Sequence, residues 1–417
     1  MTISETARPR RRVVGSLFGM QSLASAAVIA SATVLTIVAT DLTGNPSLAG
    51  VPSAVIQLSM ALFALLWGTL WDRLGRRNGL VAALLLGLAG AGLAAAGTEF
   101  GLVWVFFLGI VGFGAMRAGT LMSRFVAGEV SAPNARGRAI SIVVWAGTVG
   151  AVLGPLLVAP SSAWATSRGL NELTGPILVA VPLIGLSSIV TFLGLRPEPA
   201  ELAKVVEKEY PGPEIDDQTA RPISQLIRQP GVYVAVITVA LAQAVMIMLM
   251  GITALYMRDL GHSLGEISVV FSAHTLGMFA LAPVSGALSD RLGRGPVMIA
   301  GSLIIVLSGF VAPASSTVTV LVVGLFLLGL GWSFAFVAGS ALLSDQLTRI
   351  ERSKTQGTND MVIALASGLG SIASGVIYAG IGYWAVGLVG AVLMAVGFGF
   401  STWWTFRYRV SQPSAAD

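Results

Sequence analysis

The sequence predicts an all-α integral membrane protein of twelve transmembrane helices, arranged as two pseudo-symmetric six-helix bundles. Three observations carry that expectation. Charged residues make up 11% of the 417 residues and hydrophobic ones 55%, whereas an ordinary soluble chain carries roughly 25% charge. Apolar runs long enough to cross a bilayer recur along the whole length. A charged, glycine-bearing loop occurs twice. Composition alone excludes a soluble enzyme, a disordered chain and a disulfide scaffold. With no Cys and only 2 His, neither a Cys/His metal centre nor a thiol nucleophile is available, and no metal or cofactor is expected.

A membrane-crossing helix needs about 20 predominantly apolar residues. Such runs fall at 14–40, 50–71, 79–97, 102–127, 139–159 and 175–195. A second set follows at 231–256, 266–288, 295–313, 317–343, 358–380 and 383–405. A transmembrane β-barrel would show alternating segments of about 10 residues, and these runs are continuous. The arginine-rich start followed by an apolar stretch imitates a secretory signal. Its apolar part exceeds the usual 7–15 residues, so it reads as an uncleaved first helix.

Orientation follows from the basic residues. With the N-terminus cytoplasmic, nearly all of the 25 Lys and Arg fall in inner segments. Only Arg168 and Arg258 lie on the outer side, and Arg117 and Arg124 lie within the fourth run. Both termini are therefore expected at the cytoplasmic face of the cell membrane. The same bias accounts for a pI near 9.9 without nucleic acid as a partner.

The longest polar segment, with Pro197, Pro199, Pro211 and Pro213, divides the runs six and six. It is too short to bury a core. The expected organisation is an N-terminal bundle at 1–195, a linker at 196–230 lying on the inner membrane face, and a C-terminal bundle at 231–417. A short amphipathic helix is expected around Glu198–Tyr210.

The two bundles look like copies. Gly68-Thr-Leu-Trp-Asp72-Arg73-Leu-Gly75-Arg76-Arg77 follows the second run, and Gly286-Ala-Leu-Ser-Asp290-Arg291-Leu-Gly293-Arg294-Gly295 follows the eighth. Glu129 precedes Arg136 by the same interval that separates Asp345 from Arg352. Parallel duplication about an axis normal to the membrane marks one architecture of secondary transporters.

The duplicated loop resembles the signature loop of the major facilitator superfamily, and the resemblance covers the full chain: twelve spans, the six-plus-six split, the central linker and the inner termini. In the fifth run, Gly147, Gly150, Gly154 and Pro155 resemble the motif of the drug/proton antiporter branch, with Leu157 and Val158 in place of its trailing glycines. The resemblance implies a gate at the inner ends. Asp72, Glu129 and Arg136 and their counterparts Asp290, Asp345 and Arg352 would lock those ends when the cavity opens outward. Gly68, with Gly286 its counterpart, would let the second and eleventh helices approach closely, Gly75 and Gly293 would supply the reversals, and Arg73, Arg76, Arg291 and Arg294 would be ion partners. It also implies that the first, fourth, seventh and tenth helices line the cavity.

Arg117 sits midway along the fourth run, where a charge costs at least ~2.5–3.5 kcal/mol. Contact with an anionic solute group is one reading; a structural ion pair, or a long stem that snorkels to the membrane edge, is the other. Gln21, Gln243, Met246, Met250 and Trp332 are further cavity candidates, since thioethers adapt to varied apolar shapes. Embedded titratable groups that could couple transport to protons are His274, Asp360 and Asp41; His titrates near neutrality when unperturbed.

No phosphate-binding loop is present, which excludes ATP-driven pumping by this chain alone. The two His do not form the paired ionisable cluster of an intramembrane enzyme. The expected function is secondary active transport of a small solute by alternating access. Proton-coupled efflux of hydrophobic or amphipathic compounds leads, and transport of an organic anion or metabolite through Arg117 is the alternative. A monomer is expected.

Overall fold

A computed structural model describes residues 3–132, 135–210 and 221–408; within these, the side chains of residues 3–7, 72, 136, 137, 209, 349, 350 and 352–354 are left undescribed. Among the described residues twelve helices are long and apolar enough to span a membrane. The first six are Ile3–Thr43, Val51–Leu74, Arg76–Glu99, Val103–Glu129, Arg136–Ser167 and the pair Thr174–Leu178 and Ala180–Gly194. The second six are Pro230–Asp259, the pair Leu264–Phe279 and Ala282–Leu292, Arg294–Val311, Val318–Asp345, Arg349–Gly380 and Tyr383–Tyr408. Large apolar side chains such as Trp104, Leu65 and Leu369 stand exposed on them, as a surface solvated by lipid allows.

The two interrupted spans have the same cause. Proline has no N–H to donate to the carbonyl four residues back, and its ring crowds that carbonyl. Pro182 lies four residues after Leu178, the last residue of its helix, and Pro283 lies four after Phe279. The fifth span carries Pro155 and Pro160 without a break.

Both signature loops reverse on glycine. Gly75 has φ 80°, ψ 169° and Gly293 has φ 92°, ψ 160°. These angles lie in a region that only glycine occupies at low cost. A single residue therefore joins each helix pair and starts the next helix at once.

The chain divides into two compact units: Met1–Glu214 with Ala254–Ser272, and Ile215–Thr253 with Ala273–Asp417. The far tip of the seventh span and the start of the eighth thus group with the first unit. In that unit the third and fourth spans cross so closely that a Cβ on Gly90 would stand 2.7 Å from the Gly109 carbonyl oxygen. In the second unit the ninth and tenth spans repeat the arrangement, with Gly301 and Gly331 each facing the other's carbonyl oxygen at 2.8 Å from the Cβ position. Small residues at such crossings are how membrane helices gain van der Waals contact where lipid supplies no hydrophobic drive.

The expected amphipathic linker helix forms at Pro199–Glu209. It buries Leu202 and Val206, four residues apart on one face, against the first, third and fourth spans.

Candidate functional site

The duplicated charges meet in each unit by itself. In the first, Arg76 Nε and Nη2 donate to the two carboxylate oxygens of Glu129 at 3.1 and 3.2 Å, and the guanidinium lies 6.0 Å from the Trp71 ring centre. In the second, Arg294 Nε donates to Asp345 at 3.0 Å, and Nη1 donates to Asp290 and to Ser289. The arginine just after the glycine reversal thus binds the acid closing the fourth or tenth span. Arg73 and Arg291 stand exposed. Among the described residues of the same unit, nothing lies within 4 Å of a Cβ position at Gly68 or Gly286. The side chains of Asp72, Arg136 and Arg352 lie outside the described ones.

Two further contacts, one at the first of these turns and one at the start of the eleventh span, were not foreseen. Glu198, just past the sixth span, accepts the backbone N–H of Arg76 at 2.6 Å and of Arg77 at 3.1 Å. A carboxylate there satisfies orphan donors and meets the positive end of the helix dipole. In the second unit Arg221 donates through Nε at 2.7 Å and Nη2 at 2.8 Å to Glu351, and Nη2 also reaches the Gln346 carbonyl at 3.2 Å. Glu351 is buried and closes a capping box with Thr348 at the start of the eleventh span. The Arg221 hydrogen bonds, aided by the Thr348 amide against the cost of burial, hold its carboxyl well below the usual carboxylate range. The Thr-x-x-Glu spacing was a readable signal for Glu351; nothing in the sequence pointed to its arginine.

At membrane depth in the first unit, Gln21 donates to Ser25 at 3.3 Å and its Oε1 is buried without a partner. Arg117 is half-buried. Among the described residues its guanidinium meets neither a carboxylate nor a hydrogen-bond acceptor. Arg124 lies with its guanidinium 4.9 Å from the Phe125 ring centre. Gly150 and Gly154 seat the fifth span on the first: a Cβ at Gly150 would stand 2.6 Å from Ala26 N, and one at Gly154 2.8 Å from Ile29 Cβ. The helix runs on through Pro155.

In the second unit, Trp332 donates its indole N–H to Gln243 Oε1 at 2.7 Å. The indole stacks on Phe336 with centres 4.6 Å apart and planes at 22°, and meets Phe279 edge-on at 6.2 Å. The pairing of Gln243 with Trp332 joins two residues that the sequence singled out separately; Phe279 and Phe336 went unrecognised, since aromatics in an apolar run carry no distinguishing pattern. Met246 is buried and Met250 half-buried. His274 is wholly buried, with Nδ1 2.9 Å from the Leu325 carbonyl and Nε2 without a hydrogen-bond partner. Asp360 is exposed near the start of the eleventh span.

Asp41 stands at the opposite end of the first unit from the signature turn. Arg258 Nη1 reaches both of its oxygens at 2.7 Å. A cavity of about 630 Å³ is lined there by Ser162, Thr166, Glu172, Arg258 and His262 among others. It contains none of the residues expected to contact solute.

Twelve membrane helices, a signature turn built twice on the same glycine angles, and the same arginine–acid pairing in each unit define a duplicated membrane transporter. The family model of the Major Facilitator Superfamily matches residues 17–261 and 235–416, and the chain belongs to that superfamily. It is 34% identical over 385 residues to the uncharacterized MFS-type transporter YdeG of Bacillus subtilis, across 91% of this chain and 87% of that one. It is 27% identical over 344 residues to the riboflavin transporter RfnT of Brucella anthropi, across 82% of each. Its fold is similar to that of a bacterial homologue of the human lysosomal transporter Spinster, with a TM-score of 0.72 at 16% identity over 98% of this chain and 99% of that one. The protein is a multi-pass membrane transporter of a small solute and not an enzyme.

Proposed function

We propose that the protein exports small amphipathic, ring-bearing solutes in exchange for protons, by alternating access of the halves 1–195 and 231–417. The observation that carries this reading is the Trp332 cluster. An indole stacked on Phe336 and tied to Gln243 offers aromatic faces beside an amide at membrane depth, which suits a flat solute with one polar edge. RfnT is named for riboflavin, itself a ring-bearing amphipathic compound. The close seating of the fifth span through Gly150 and Gly154, on a motif resembling that of antiporters, supports exchange rather than uniport.

His274 is the coupling group in this reading. Its free Nε2 in a wholly buried site can take up a proton only when a conformational change admits one. Both termini lie at the cytoplasmic face, the Arg76–Glu129 and Arg294–Asp345 clusters with Asp72, Arg136 and Arg352 belong to the inner gate, and one chain is the working unit.

A second reading, transport of an organic anion, rests on Arg117, a half-buried cation with no counter-ion among the described residues. Liposomes holding the purified protein and a panel of cationic, neutral and anionic ring compounds separate the two. Under the first, an imposed pH gradient drives flux of ring compounds irrespective of charge, Trp332→Ala abolishes it and Arg117→Ala does not. Under the second, Arg117→Ala removes anion flux selectively. Flux indifferent to the pH gradient would remove proton exchange from the reading.

A further inference from the structure

The first unit carries a basic cluster that neither the gate nor the solute site uses. At the signature-turn end of the sixth span, the Phe192 ring takes two guanidinium groups, Arg77 at 5.4 Å and Arg196 at 5.1 Å from its centre. Beside it, Arg12 Nη2 donates to the Leu193 carbonyl at 2.8 Å. Neither Arg77 nor Arg196 has a carboxylate partner among the described residues, and Arg77 Nε is buried without a hydrogen bond. The nearby Glu198 accepts the backbone N–H groups of Arg76 and Arg77 through Oε1 and leaves a net positive charge on the three arginines. Two guanidinium groups thus meet one exposed ring with a third beside it, and none of the three has a carboxylate within ion-pair distance among the described residues.

We propose that Arg12, Arg77 and Arg196 form a binding site for the phosphate headgroup of an anionic phospholipid. The position commits the site to a lipid rather than to a soluble anion. Leu186, Ile189 and Leu193 stand exposed at spacings of three and four residues, so they form one apolar stripe leading along the sixth span away from the cluster. Acyl chains lying on that stripe bring a headgroup level with Phe192. Guanidinium forks match phosphate oxygens, and the ring holds two of them ready without neutralising them. The site depends on neither the solute nor the direction of transport.

The test is lipid retention by the full-length protein, released from membranes of mixed phosphatidylglycerol and phosphatidylcholine and weighed by native mass spectrometry. The wild type retains phosphatidylglycerol in preference to phosphatidylcholine. Each arginine removed lowers that preference about fivefold, and Arg77→Gln with Arg196→Gln lowers it roughly thirtyfold. Arg196→Gln alone alters an exposed side chain, so its fivefold loss is read on a folded protein. Arg407→Gln, an exposed cation at the end of the twelfth span, leaves the preference unchanged. Undiminished retention by the double variant, or an equal loss in Arg407→Gln, overturns the site.

Discussion

Arg76 grips both oxygens of Glu129, at 3.1 and 3.2 Å, and Arg294 repeats the pairing with Asp345 at 3.0 Å. One contact therefore recurs between equivalent helices of two sequence copies. Arg76 and Glu129 are 26% and 36% exposed, and pairs so exposed contribute about 0–1 kcal/mol to stability. Glu129→Gln is therefore expected to shift unfolding by no more than about 1 kcal/mol while strongly lowering solute flux. Exchanging the two residues, Arg76→Glu with Glu129→Arg, should recover part of that flux. Equal flux in wild type and Glu129→Gln would reduce the pair to an anchor at the headgroups.

The glycine reversals are not equally tolerant. Alanine at either position meets backbone strain of order 1–3 kcal/mol. At Gly75 the added Cβ also stands 3.0 Å from Glu198 Oε1, whereas at Gly293 its nearest neighbour is Pro296 Cδ at 3.9 Å. Gly75→Ala should therefore lower the thermal midpoint more than Gly293→Ala. The reverse order would mean that Glu198 yields readily.

Glu351 makes part of the stability depend on acid. Its carboxyl ionises far more readily folded than its ordinary 4.5, because Arg221 donates to it. A depressed folded value contributes stability that is complete above about pH 4.5, the unfolded value, and that is lost as pH falls through the folded one. Thermal midpoints of wild type should fall below pH 4.5, and those of Glu351→Gln should fall less steeply over the same range. Parallel curves would show that other carboxylates govern the acid limb.

Gln243 is buried and depends on Trp332 for its Oε1. Trp332→Phe keeps a ring to stack but strands that oxygen, at a cost of about 1–3 kcal/mol. Adding Gln243→Leu removes the stranded group, so the double variant should be more stable than Trp332→Phe alone. Thermal unfolding of the four proteins in a double-mutant cycle measures the coupling. Additive changes would mean that water already serves Gln243.

Much of the architecture was readable because lipid as solvent leaves few options. A helix must satisfy its own backbone, so length and apolarity alone located every span, and proline spacing explains the two breaks. The Arg76–Glu129 and Arg294–Asp345 pairs were half legible: duplication flagged the residues, but not which acid each arginine would choose. Arg221 with Glu351, Glu198 with the third span, and Arg258 with Asp41 were not legible. Each joins residues more than 100 positions apart, where one sequence holds no record of proximity. Phe279 and Phe336 were invisible for a different reason, since an aromatic in an apolar helix reads the same whether it meets lipid or indole.

The cap that Glu198 places on the third helix has a consequence for how the chain is made. The N–H groups of Arg76 and Arg77 wait for a carboxylate more than 120 residues downstream. That carboxylate leaves the ribosome only after all of the first six segments have been synthesised. Until then the third helix lacks this cap, and a chain truncated just short of residue 198 should be far more sensitive to protease at that turn than one truncated just beyond the linker helix.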